Sequence, residues 1–169
     1  MSDAVAPLVP KDGSLVIYDG AGSPLSVTLA YTDGDLKIDE ITQGNWETQV
    51  FEDRGTPYAV RATKKKVIKV SFSCHAVNTV GANSPLEAVR KTGTWASATS
   101  TIASSAGGSE VHCVKMVWTG ERSNFGASAD STFTLAKVRV TGSFAEGTPG
   151  TFSFQGEAYI FSDSDFAIT

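Results

Sequence analysis

The ten residues VIKVSFSCHA, 67–76, decide the fold class. Ile68, Val70, Phe72, Cys74 and Ala76 share one parity, and Lys69, Ser71, Ser73 and His75 share the other. A period of two is the repeat of an extended chain, whose successive side chains point to opposite faces. This stretch therefore reads as a strand with one face toward a core and one toward water. The pattern recurs outward in both directions. In 25–31, Leu25, Val27, Leu29 and Tyr31 alternate with Ser26, Thr28 and Ala30. In 151–160, Phe152, Phe154, Ala158 and Ile160 oppose Thr151, Ser153, Gln155 and Glu157. Segments 14–18, 36–41, 45–51, 58–63, 110–118 and 132–142 also read as strands. Both faces of 110–118 are largely apolar, as in a central strand. Turn chemistry separates the runs: GAGSP at 20–24, TDGD at 32–35, DRGTP at 53–57 and EGTPG at 146–150.

Helical signals gather at one place, SPLEAVRKTG (84–93). Ser84 suits an N-cap, Pro85 the first helical position, and Glu87 stands three residues after the cap. Leu86, Ala88 and Val89 supply an apolar face, and Gly93 is a natural stop. About nine strands and one short α-helix, over about 85–92, predict a mainly β fold, a β-sandwich or barrel. The organisation reads as an N-terminal arm, 1–12, and a single domain, 13–169. Two small-residue loops interrupt it, 94–109 and 119–131. Loops of that length are uncommon in a compact domain unless they are functional or ordered by a partner.

With 169 residues the chain is long enough to bury a real core. Its 41% hydrophobic content is neither a disordered nor a membrane composition. No apolar run approaches the roughly 18 residues of a transmembrane helix, and the first residues lack the basic and apolar regions of a secretory signal. The expectation is a protein made and kept in its host's cytoplasm, without a membrane partner. Two cysteines, Cys74 and Cys113, are too few for a disulfide framework and read as buried thiols.

The net charge of −4 hides a segregation. Residues 1–60 hold three Lys/Arg against ten Asp/Glu, 61–91 hold seven against one, and 92–169 hold four against seven. Such a chain has two electrostatic poles.

Catalytic chemistry finds little to stand on. The pairs Cys74–His75 and His112–Cys113 contain the residue types of a zinc site. Adjacent strand residues point to opposite faces, however, so each strand can present only one ligand to a given metal. A Ser/Cys–His–Asp triad would have to use His75 or His112, and there is no G-x-S-x-G elbow. Neither G-x-x-x-x-G-K-[ST] nor G-x-G-x-x-G occurs. The expectation is a non-enzyme that needs no metal and no cofactor. The basic run Lys64, Lys65, Lys66 and Lys69 lacks the flanking aromatic platforms of a single-strand binder. It reads as a solvated turn or a contact with an acidic neighbour.

Four segments in order resemble the tail tube (major tail) proteins of long-tailed, non-contractile bacteriophages. GSLVIYDGAGSPLSVTLAYTDGDLKI (13–38) looks like their opening strand pair and acidic turn. EDRGTPYAVRATKKKVIKVSF (52–72) is similar to their DRG-containing segment and long strand, SPLEAVRKTG (84–93) to their single helix, and VRVTGSFAEGTPGTFSFQGEAYI (138–160) to their C-terminal hairpin. The resemblance covers roughly half of the chain and rests on order and pattern. It implies a structural virion protein that stacks as rings of about six subunits into a hollow tube, each subunit giving a few strands to a continuous inner barrel through which DNA passes as a transient, non-specific passenger. The implied partners are copies of itself and the tape measure, tail terminator and distal tail proteins; the implied location is the virion tail, assembled in the bacterial cytoplasm. Under it, Asp33, Asp35, Asp39, Glu40 and Glu47 are candidates to line the lumen, where like charge keeps DNA sliding. Lys64, Lys65, Lys66 and Lys69 are candidates for the ring-stacking interface. The competing expectations are a tail terminator, a capsid decoration protein, or a carbohydrate-binding β-sandwich with Trp46, Trp95 and Trp118 as platforms.

Overall fold

The computed structural model describes residues 13–29, 34–39, 46–65, 67–76, 79–102, 111–120, 130–148 and 150–169, with the backbone alone for Gly34, Asp35, Lys64 and Lys65. Among the described residues the structure is mainly β, with one short α-helix, so the mainly β expectation is met. In order the elements are β1 (Gly13–Tyr18), β2 (Ser26–Leu29), β3 (Gly34–Ile38), β4 (Trp46–Asp53), β5 (Thr56–Lys65), β6 (Ile68–His75), α1 (Pro85–Arg90), β7 (Val114–Gly120), β8 (Ser131–Ala145), β9 (Thr151–Ala158) and β10 (Phe166–Ile168).

Eight strands form one antiparallel sheet in the order β2–β1–β7–β8–β9–β6–β3, with β10 also on β8; β4 and β5 form a separate two-stranded sheet. β8 is the hinge of this topology. Its first half, 131–138, pairs with β7, and its second half, 138–145, pairs with β9 on the opposite edge. Val138 faces both Val114 and Ala158. One half-sheet is therefore β2–β1–β7–β8–β10 and the other β8–β9–β6–β3. A single core draws on both: Ile17, Val27, Met116 and Leu135 from the first, Ile68, Phe72, Phe152 and Phe154 from the second. Phe72 and Phe154 stack with centroids 4.5 Å apart. Each such side chain, removed from water, stabilises the fold by about 1.5–3 kcal/mol.

Helix α1 starts as its sequence dictates. The Ser84 hydroxyl accepts from the Glu87 N–H, and Pro85 opens the helix. It ends earlier than 92. Lys91 takes the left-handed conformation at φ 56°, one of two non-glycine residues among those described with positive φ. The Glu87 carboxylate accepts from the N–H groups of both Gly81 and Thr94, at 2.9 Å each, and so ties the approach to the helix to its exit. The loop read over 94–109 is partly built into the core. Trp95 lies in a 3-10 turn, is fully buried, and donates its indole N–H to the Ala82 carbonyl. Residues 103–109 of that loop, residue 110 of the strand expected over 110–118, 121–129 of the second loop and the arm 1–12 lie outside the described residues.

β7 begins at Val114 rather than at 110. The Cys113 N–H bonds the Ser100 hydroxyl and its carbonyl accepts from the Thr101 N–H, so those groups serve a loop and not a strand. Among the described residues no helix is long and apolar enough to cross a membrane.

Candidate assembly interface

The half-sheet β3–β6–β9–β8 has a core face and a solvent face of unusual uniformity. Residues directly opposite each other share a face, so register defines rows across the strands. Lys69, Glu157 and Arg139 form one row, Ser71, Gln155 and Thr141 the next, and Ser73, Ser153 and Ser143 the third. Lys37 and Asp35 of β3 continue the second and third rows by register with Ser71 and Ser73. No side chain in these rows is apolar. The Thr141 and Ser143 hydroxyls bond back to the carbonyls of Gln155 and Ser153 at 3.2 and 3.3 Å, which keeps the face smooth. Asp39, Lys69, Arg139, Thr141, Gln155 and Glu157 line an open hollow of about 460 Å³. With polar residues along the open side, it lacks the apolar enclosure of a small-molecule pocket.

Charges on this face alternate in sign. Lys37 pairs with Asp39 at 2.9 Å, with both side chains exposed, so the pair contributes little to stability. The Asp39 N–H donates to the Lys69 carbonyl, which continues the β3–β6 pairing by one residue.

Among the described residues, no strand pairs with the outer edge of β3, or with the β7-side edge of β8 over Arg139–Ala145. Arg139 stands on one edge strand, and Asp39 directly follows the other.

The β4–β5 hairpin stands apart. Its turn is made by Arg54 and Gly55, both at positive φ (51° and 79°), the combination that a tight two-residue hairpin requires. Val50 opposes Val60, and Thr48 opposes Ala62. Phe51 and Ala59 are half-buried, and every other described side chain of the hairpin is exposed. Trp46, Val50, Tyr58 and Val60 are 40%, 49%, 70% and 62% exposed. On the opposite face the Arg61 guanidinium lies 5.6 Å from the Phe51 ring centroid.

The sequence candidates divide among these surfaces. Asp35, by register, and Asp39 belong to the polar half-sheet, whereas Glu47 is on β4; Asp33 and Glu40 lie outside the described residues. Lys64 and Lys65 end β5, Lys69 is on the polar face of β6, and Lys66 lies outside the described residues. The basic run is thus split between two sheets. Cys74 is buried in the core while His75 is exposed, as alternation requires. Cys113 is a free thiol pushed up from its ordinary pKa by burial, which outweighs the nearby Arg139, so it stays protonated at neutral pH. Trp95 is too buried to serve as a sugar platform, and Trp118 is half-buried against Phe133.

Two structural carboxylates escaped the sequence reading. Asp19 is 5% exposed and accepts from the N–H groups of Ala21, Leu25 and Thr99, joining the first turn to the loop after Trp95. Asp165 accepts from the Lys137 ammonium and from the N–H groups of Phe161 and Ser162. Burial pushes the Asp165 carboxyl up, but these donors together outweigh it and hold the group below its ordinary value. Both were signalled: Asp19 precedes a Gly-rich turn, and Ser162-x-x-Asp165 is a capping-box spacing.

Comparison of the chain with protein-family models, with curated proteins and with solved structures finds no match.

Proposed function

We propose that this chain is the repeating subunit of a hollow tube, the tail tube of a long-tailed, non-contractile phage, and that β3–β6–β9–β8 is its contribution to the tube wall. The observation that carries this reading is a four-stranded half-sheet with an all-polar outer face and two edges that no strand pairs with among the described residues. Because four is even and every pairing is antiparallel, β3 of one copy and residues 139–145 of β8 in the next run in opposite directions around a ring. The sheet can then continue from copy to copy as an antiparallel barrel without an edge. A ring of about six copies, with strands about 4.8 Å apart and tilted about 40°, closes a barrel about 45–50 Å across between backbones. That bore passes a DNA duplex. Arg139 at one edge and Asp39 at the other give the junction complementary charge.

The bore in this reading is lined by hydroxyls, amides and charges of both signs rather than by acids alone. A face of alternating sign has no strong net field to capture phosphates, so non-specific adhesion stays weak.

Negative-stain microscopy of the concentrated protein tests the reading and is expected to show rings or hollow tubes of uniform width. Closed rings that never extend would point to a terminator instead. A chain that stays monomeric, even with its tail partners present, would sink the proposal.

A further inference from the structure

We infer that Glu157 is the residue that keeps the polar half-sheet from holding DNA, because it neutralises a Lys69–Arg139 pair that without it is a phosphate-binding row. The inference rests on the reading that this face lines a bore through which DNA passes. Register sets the three side chains in line, Lys69 opposite Glu157 and Glu157 opposite Arg139. All three are exposed, and they share the hollow of about 460 Å³ with Asp39, Thr141 and Gln155. Neighbouring strands lie about 4.8 Å apart, so the backbones of Lys69 and Arg139 are roughly 10 Å apart with Glu157 midway.

An ammonium and a guanidinium at that spacing can close on one phosphate or take two neighbouring ones, and these are the cations that hold phosphate oxygens. The adjoining row, Ser71, Gln155 and Thr141, supplies hydroxyls and an amide, the neutral groups that also bond to a nucleic-acid backbone. The face thus carries the parts of a sequence-independent DNA contact. The carboxylate between the two cations is what spoils it, since a phosphate seated there meets like charge at close range.

Two contacts hold that carboxylate to its task. The Tyr159 hydroxyl donates to Glu157 Oε2 at 3.2 Å, and Arg139 lies against the same hydroxyl. At the β3 end of the hollow Asp39 is 2.9 Å from Lys37, so the acid that stands between Lys69 and Arg139 is Glu157. In a ring the row recurs in every copy. A weak attraction at one row would then be multiplied by the others, and a passing duplex would be retained rather than released.

The test measures binding of a fluorescent duplex of about 20 base pairs by anisotropy at about 20 mM salt, where phosphate contacts are strongest. Glu157→Gln keeps an acceptor for the Tyr159 hydroxyl, so circular dichroism and the thermal midpoint are expected to match the wild type. Glu52→Gln, an exposed site on the separate β4–β5 hairpin, makes the same change in net charge. Glu157→Gln is expected to bind the duplex at least about fivefold more tightly than the wild type, with a log–log salt slope steeper by about one to two. Glu52→Gln is expected to stay within about twofold of the wild type. Adding Arg139→Gln to Glu157→Gln is expected to remove the gain. Equal tightening in Glu157→Gln and Glu52→Gln, or a gain that survives Arg139→Gln, overturns the inference and leaves the tube reading standing. A wild-type chain that stays monomeric under the microscope sinks the tube reading, while the binding comparison still decides the role of Glu157.

Discussion

β6 alternates apolar and polar residues strictly and the β4–β5 hairpin more weakly, and β6 keeps Ile68, Val70, Phe72 and Cys74 at 1–4% exposure while Val50, Tyr58 and Val60 stay at 49–70%. The neighbours differ as well as the pattern. β6 lies between β9 and β3, and its inner face joins a core to which the first half-sheet and α1 also contribute. β4 has β5 and, among the described residues, no third strand. Alternation therefore tells that a strand has an apolar side, and leaves open whether the same chain will cover it.

The comparison breaks most visibly at Phe154, which is 1% exposed and stacked on Phe72. Phe154→Ala is expected to lower unfolding free energy by about 3–5 kcal/mol, since it loses both transfer energy and packing in a site that cannot collapse. Urea denaturation of the monomer measures it. A loss under about 1 kcal/mol would mean that the two half-sheets do not share a core.

Next in size is Asp165. Asp165→Asn removes the charge that Lys137 pairs with and is expected to cost about 2–3 kcal/mol. The sign of the pH dependence follows from the lowered pKa. A carboxyl held below its ordinary 3.8 contributes stability that is present above that value and is lost as pH falls through its lower folded value. Wild-type stability should therefore drop more steeply in acid than that of Asp165→Asn. Parallel acid limbs would show that the latch between β8 and the C-terminal segment carries no charge-dependent stability.

Gly142 gives a smaller effect for a steric reason. A Cβ there would lie 2.7 Å from the Phe154 ring, so Gly142→Ala forces the aromatic stack to shift, at about 1–3 kcal/mol by denaturation. A stabilised Gly142→Ala would mean that the ring has room to move.

Most of this sheet was legible because its signal is local. Nine of the ten strands were read from alternation, and α1 from Ser84 and Pro85. β10 was missed because three residues, Phe166–Ile168, carry no periodicity of their own. β8 was read only to 142, since its second half turns Arg139, Thr141 and Ser143 to solvent and lacks the apolar density of its first half. The site was harder to see. Asp39 and Lys69 meet in one hollow and Glu47 is set apart on the hairpin because β3 pairs with β6 across the whole hairpin, and pairing over such a separation leaves no mark on either segment. Which edges stay open is likewise a property of the full strand order, not of any strand.

The smallest expected effect separates the two regions most cleanly. Tyr58 and Val60 are 70% and 62% exposed, so Tyr58→Ser and Val60→Thr remove apolar surface that water already touches. Each is expected to change monomer stability by no more than about 0.5 kcal/mol, a tenth of the loss at Phe154. Backbone amides of 46–65 should likewise exchange with solvent far faster than those of β6 and β9, because a hairpin without a third strand can open without disturbing the core. If the hairpin amides are already as protected in the monomer as those of β6, the ribbon has found cover within its own chain, and the contrast between the two regions disappears.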